Sequence, residues 1–172
     1  AFGYSLIPEA WKNSIVKWER SQHLAFAKHE WIRFTNGVVP AVYWLIEMLT
    51  ELGDSCLIQT PVYYPFHHAV RDTGRSLICN DLVNDNGKYS IDFDSFEDAI
   101  RVNKVKLFIL CSPHNPVGRV WQESELKKLW GICQKYNVFV ISDEVHRDLV
   151  FSPHRHVPTS LVADNTALLI TL

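Results

Sequence analysis

The sequence predicts an α/β fold, a mostly parallel sheet wound with helices on both faces, and three observations carry that expectation. Strand-like segments alternate along the chain with segments whose apolar residues recur at helical spacing. Val138-Phe-Val-Ile-Ser-Asp-Glu-Val-His146 opens on four β-prone apolar residues, a continuous run that suits a strand buried on both faces. This run and a second one, Leu107-Phe-Ile-Leu110, each lead directly into polar residues: Ser142, Asp143, Glu144 and His146 after the first, and Cys111-Ser-Pro-His-Asn-Pro-Val-Gly-Arg119 after the second. In open α/β sheets the ligand crevice lies just outside the carboxyl ends of the strands. Asp143 and His146 are expected to stand there. An isolated Asp-Glu-x-His reads as a capping aspartate and a packed histidine; the companion stretch turns the reading towards a site.

At 172 residues the chain is long enough for one domain with a sizeable core. Seventeen Lys and Arg against 19 Asp and Glu leave a formal charge of −2, so no basic patch points to nucleic acid. Cys56, Cys79, Cys111 and Cys133 are widely spaced, with no Cys-x-x-Cys. Reduced thiols are expected rather than disulfides or zinc ligands. No signal-peptide pattern and no bilayer-length apolar run occurs, which makes a cytoplasmic enzyme the expectation. The chain starts without Met, and Ala167-Leu-Leu-Ile-Thr-Leu172 reads as an unfinished strand. It is read as an internal piece of a longer enzyme, with residues 1–21 a helical lead-in and 22–172 part of a larger domain.

Taken in order, Trp11, Ile15 and Trp18 recur at helical spacing from Pro8 to about Ser21, and the two indoles are expected to face a core. Trp31-Ile-Arg-Phe34 is short and β-prone, and Thr35-Asn-Gly-Val-Val-Pro-Ala41 leads from it into a helix running to about Leu52. A strand, a glycine turn and a helix aim free backbone N–H groups and the positive helix end at an anion. Asp54 turns the chain into strand Cys56–Thr60, and Pro61-Val-Tyr-Tyr-Pro-Phe66 then places aromatic rings at the sheet's carboxyl edge. Tyr64 and Phe66 are expected in the core. A helix to about Asp72, stopped by Gly74, and strand Ser76–Cys79 complete a further unit.

Asn84-Asp-Asn-Gly87 reads as a turn-rich loop, and Phe93, Phe96 and Ile100 pattern a short helix. Strand Lys106–Cys111 precedes a helix from Glu123 to about Tyr136, with Leu126, Leu129, Trp130 and Cys133 apolar, and Asn137 stops it before the Asp143 strand. Pro153 to Pro158 is a loop holding His154 and His156, with His146 further back. Organised metal-ligand spacing is lacking there, so a solvated loop is expected. Neither Gly-x-Gly-x-x-Gly nor a phosphate-binding Gly-Lys-Ser/Thr loop occurs, which argues against a nucleotide binder.

The strand-end motifs together resemble the large domain of fold-type I pyridoxal-phosphate (PLP) enzymes, a three-layer α/β/α domain. The resemblance is closest to the cystathionine β-lyase-like branch of the class I/II aminotransferase group. It implies that the backbone amides of Gly37, Val38 and Val39 hold the cofactor phosphate and that Tyr63 stacks on the ring. It also implies that Asn115 bonds the phenolic oxygen and that Asp143 keeps the pyridine nitrogen protonated. Most aminotransferases of the group carry Tyr three residues after that aspartate. This chain has His146, and with Pro113-His-Asn-Pro-Val-Gly-Arg-Val-Trp121 it is similar to the lyase branch.

Carbon–sulfur β-elimination from sulfur amino acids is therefore the expected activity. Transamination is the alternative, and a non-catalytic or regulatory module of the same fold a second one. The family implies a homodimer in which Tyr4 reaches the neighbour's phosphate. It also implies a Schiff-base lysine beyond Leu172, and none of the lysines from Lys12 to Lys135 matches that position. No catalytic residue is thus expected in this chain, which alone should be inactive. The strand after that lysine would insert between a strand at Trp31 to Thr35 and one at Ala167 to Leu172.

Overall fold

A computed structural model describes residues 7–22, 24–163 and 169–171. They fall into two compact units, Ala1–Asn36 and Gly37–Leu172, and the boundary expected after residue 21 lies inside the first.

In the first unit α1 spans Glu9–Gln22, followed by a 3-10 turn at His29–Trp31. His29 ties the two, within 2.7 Å of the Asn13 amide oxygen and 3.4 Å from the Glu9 carboxylate. The expected indole stripe is not buried. Val16 and Glu19 are covered, whereas Trp11 and Trp18 stay 37% and 49% exposed. One helix and one turn offer too little apolar surface to cover two indoles. The expected strand at Trp31–Phe34 is also absent. Ile32 is extended, at φ −81° and ψ 126°, but the segment forms no strand among the described residues. β-Branched and aromatic residues favour a sheet only where neighbours offer surface to pack on.

The second unit is built on a five-stranded, wholly parallel sheet among the described residues, in the order β2-β1-β5-β6-β7. Its strands are β1 (Ser55–Thr60), β2 (Ser76–Asp81), β5 (Leu107–Cys111), β6 (Phe139–Asp143) and β7 (Leu169–Thr171). The described edges are therefore β2 and β7. The described helices of the unit are α2 (Val38–Leu49), α3 (Pro65–Asp72), α4 (Phe93–Asn103), α5 (Glu123–Lys135) and the short α6 (Thr159–Val162). This is the α/β architecture read from the sequence. No described helix is long and apolar enough to cross a membrane.

Alternation along the strands sorts the core into two layers. Cys56, Ile58, Leu107, Ile109 and Ile141 pack with Val42 and Ile46 of α2 and Phe66, Ala69 and Val70 of α3. Leu57, Phe108, Leu110 and Val140 pack with α4, α5 and Val162 of α6. All of β5 is buried on both faces, as its unbroken apolar run requires. Each such side chain contributes roughly 1.5–3 kcal/mol.

Three local expectations shift. Phe66 is buried but Tyr64 is 69% exposed, because two steps of about 100° put them on opposite sides of the first turn of α3. α2 stops at Leu49 rather than Leu52, where the Thr50 hydroxyl donates to the Ile46 carbonyl at 2.6 Å. The loop around Asn84–Gly87 is a small antiparallel hairpin, β3 (Val83–Asp85) with β4 (Lys88–Ser90). Asn86 and Gly87 both take positive φ, 51° and 87°, as a two-residue hairpin turn of this hand demands.

Candidate functional site

α2 runs directly into β1 at the sheet's amino edge, so its own N-terminus lies at the carboxyl edge. Gly37 is its N-cap, at φ +121° and ψ 166°, a backbone conformation that side-chain-bearing residues rarely adopt. Gly37 has no side chain with which to cap this terminus, and Pro40 brings no N–H. The first-turn donors are thus the amides of Val38 and Val39 beside Gly37, which present partial positive charge to an anion.

At the end of β1, Pro61 and Val62 carry the chain to Tyr63, which is half-buried. Its ring stands edge-on to the buried Phe66, centroids 5.8 Å apart and planes at 86°. Core packing of Phe66 thereby sets the plane of Tyr63.

The stretch after β5 folds on itself. The His114 amide donates to Arg119 O and the Gly118 amide to His114 O, both at 2.8 Å. The indole N–H of the buried Trp121 donates to Cys111 O at 2.9 Å. Arg119 lies 4.7 Å over the Trp121 ring and forks onto Glu125 at 2.7 and 2.9 Å. Half-buried Asn115 sits within this small loop, its amide 3.3 Å from the Cys111 sulfur. His114, 2% exposed, donates Nε2–H to Pro61 O at 2.9 Å, tying the Asn115 loop to the Tyr63 loop. Burial holds its pKa below the ordinary imidazole value, so it is neutral at neutral pH.

β6 pairs with β5 so that Asp143 lies opposite Cys111, and the Ser112 amide donates to Asp143 O at 2.9 Å. The Asp143 side chain follows the parity of Ile141 and therefore belongs to the α2 face. The residue is 4% exposed, and its Oδ1 accepts the Val145 amide at 3.1 Å. Burial pushes its pKa up, against the pull of that amide and of nearby His146. His146 is half-buried and opens a 3-10 turn at Arg147–Leu149.

The structure thus brings Tyr63, Asn115, Asp143 and His146 to the carboxyl ends of three adjacent strands. Gly37 to Val39 stand at the same edge on α2, which packs against β6. β1 and β6 are two strand spacings apart, about 10 Å, a span that one substituted aromatic ring can bridge. Tyr4 lies outside the described residues.

Nothing in the sequence around Glu144 marks its role, and its partner lies in the loop expected to be solvated. His154 is indeed exposed, but the His156 side chain is only 2% exposed and its Nε2 lies 2.8 Å from Glu144 Oε2. Burial alone would raise the Glu144 pKa. The bond and charge of His156, with the bonds from Thr159, outweigh it and hold the carboxyl below its usual value.

The profile of the aminotransferase class I and II family matches residues 2–172. The chain is 39% identical over 166 residues to the cystathionine beta-lyase PatB of Bacillus subtilis, covering 96% of this chain and 43% of the relative. The PLP-bound C-S lyase from Staphylococcus hominis superposes with a TM-score of 0.93 at 32% identity, over 99% of this chain and 44% of that one. Cystalysin from Treponema denticola, whose structure contains a pyridoxal 5'-phosphate cofactor, gives a TM-score of 0.92 at 37% identity over 99% and 44%. The chain spans less than half the length of the proteins it matches.

Proposed function

Because the chain belongs to the class I and II aminotransferase family, we propose that it supplies the cofactor-holding part of a pyridoxal-phosphate enzyme that performs carbon–sulfur β-elimination on sulfur amino acids. The observation that carries the reading is Asp143, a carboxylate only 4% exposed at the end of a central strand, one strand from the Asn115 loop. A buried carboxylate of this kind suits a cationic ring nitrogen, and the glycine-led N-terminus of α2 suits a phosphate. The residues present therefore fit the group.

Pyridoxal phosphate, when bound, supplies an electron-accepting ring that weakens the bonds at the substrate's Cα. The amides of Gly37, Val38 and Val39 would hold the phosphate. Tyr63 would cover one face of the ring and keep water from it. Asn115 would donate to the phenolic oxygen, and His146 takes the sequence position at which most of this group carry tyrosine. Asp143 would keep the proton on the pyridine nitrogen, and each unit by which it raised that nitrogen's pKa would correspond to about 1.4 kcal/mol. None of the lysines from Lys12 to Lys135 matches the family's Schiff-base position, so residues 1–172 alone should form no covalent link to the cofactor and show no turnover.

Elimination is preferred over transamination on His146, on the Pro-His-Asn-Pro-Val-Gly-Arg-Val-Trp run, and on likeness to a cystathionine beta-lyase and a C-S lyase. The whole protein is read as a cytoplasmic homodimer in which Tyr4 reaches the partner's phosphate. Given cystathionine and no keto-acid acceptor, it should release pyruvate, ammonia and a thiol. Amino-group transfer that proceeds only with a keto-acid acceptor would establish the aminotransferase alternative instead. A protein that neither binds pyridoxal phosphate nor turns over amino acids would fit the non-catalytic reading.

A further inference from the structure

Directly behind Asp143, on the opposite face of the sheet, lies a buried polar cluster that the proposed chemistry does not use. Glu144 and Ser142 follow the parity of Val140, so they point towards α6. The Glu144 side chain is 1% exposed. Its Oε1 accepts the Ser142 hydroxyl at 3.0 Å and the Thr159 amide at 2.9 Å, and its Oε2 accepts His156 Nε2–H at 2.8 Å. The Ser142 and Thr159 hydroxyls meet at 2.8 Å. One carboxylate thus binds the last turn of β6 to the start of α6, across a segment whose only regular structure is the 3-10 turn Arg147–Leu149.

That segment carries His146, and Asp143 is bonded into its first step through the Val145 amide. A long connection without structure of its own takes its conformation from whatever anchors its ends. Here one anchor is Glu144, adjacent in sequence to Asp143. Moving the Glu144 backbone would turn the Asp143 carboxylate and shift the Val145 amide together. Packing alone would not require a carboxylate in this place, because apolar side chains of similar volume can often replace buried ionic groups at little cost to stability.

We propose that Glu144 and His156 are a positioning pair: from behind the sheet they fix the direction of Asp143 and the placement of His146 towards the cofactor. This rests on the cofactor site proposed above. Neither residue touches the cofactor, so both act through the backbone of residues 143–146.

The test uses the whole protein, with pyridoxal phosphate as the probe. Its dissociation constant is measured by equilibrium dialysis, the circular-dichroism band of the bound cofactor reports ring orientation, and melting of the cofactor-free form reports the fold. His156→Gln keeps an N–H for Glu144 and should retain cofactor affinity and band shape. His156→Leu and Glu144→Gln should each weaken cofactor binding about tenfold or more, near 1.4 kcal/mol, and alter the band.

If both of these variants lower only the melting temperature, with cofactor affinity and band unchanged, the pair is packing and the proposal is wrong. Should His156→Leu fail to fold, the isosteric Glu144→Gln decides the matter on the same readouts. A parent protein that binds no pyridoxal phosphate would instead overturn the site itself, a result distinct from variants that match a binding parent.

Discussion

Asp143→Asn should separate activity from stability, moving them in opposite directions. The amide keeps an oxygen to accept the Val145 N–H, now at 3.1 Å, so the local turn survives. The charge is lost. At about 4 Å from a cationic ring and an effective dielectric of roughly 20, that charge contributes about 4 kcal/mol. At 1.36 kcal/mol per decade the loss is about a thousandfold in rate.

The fold responds the other way. Burial raises the Asp143 pKa, so its contribution to stability is complete below the unfolded value and is lost as pH rises through the folded one. At pH above the folded value the buried ionised side chain opposes folding, and there the asparagine variant, free of cofactor, should melt at the same temperature as the parent or higher. That advantage should vanish as pH falls and the parent's Asp143 takes up its proton. Pyruvate release by the whole protein and thermal melts of its cofactor-free form supply the two readings. A variant that loses activity and melting temperature together, at every pH, would show Asp143 to be a structural residue and would refute the reasoning.

Other outcomes are expected. Glu144 has a lowered pKa, so its stabilisation holds above the ordinary carboxylate range and is lost as pH falls through the folded value; Glu144→Gln should flatten the acid limb of a stability–pH curve followed by circular dichroism. Gly37→Ala would place a methyl 3.7 Å from Pro40 Cδ, an ordinary contact, so its cost is the positive φ, about 1–3 kcal/mol in urea unfolding. Trp121→Phe leaves Cys111 O without its indole donor and should cost about 1–3 kcal/mol. Exposed Cys79 should react with a thiol reagent at pH 8, whereas Cys56 and Cys111, buried with thiols pushed up to about 12, should react only in denaturant.

The double-buried strands were legible because a parallel strand covered on both faces needs an unbroken apolar run, as Leu107–Leu110 and Val138–Ile141 have. The strand-end residues were legible for the same reason: where such a run stops, the sheet's carboxyl edge is near, and Asp143 closes β6 while Asn115 follows β5. Trp31–Phe34 carried a similar β preference, and propensity alone made no strand of it. The Asn86–Gly87 hairpin hid behind strands three residues long, too short and too polar to show alternation. His156 was misread because its burial depends on Glu144, twelve positions earlier. Local composition around Pro153 to Pro158 contains no trace of that partner.

The change of side between Asp143 and Glu144 has a consequence for how such a chain can vary over descent. Adding or deleting a single residue near Ser142 would exchange the two carboxylates, sending one towards the helix behind the sheet and the other towards the ring in front. Both tasks would fail at once, although the composition of the segment would hardly change. Length should therefore be frozen from Val140 to Glu144. Between Phe151 and Arg155, where every residue is exposed, insertions cost only loop closure. Lineages carrying this sheet are expected to differ in length there and to agree in length, whatever else they change, across the end of β6.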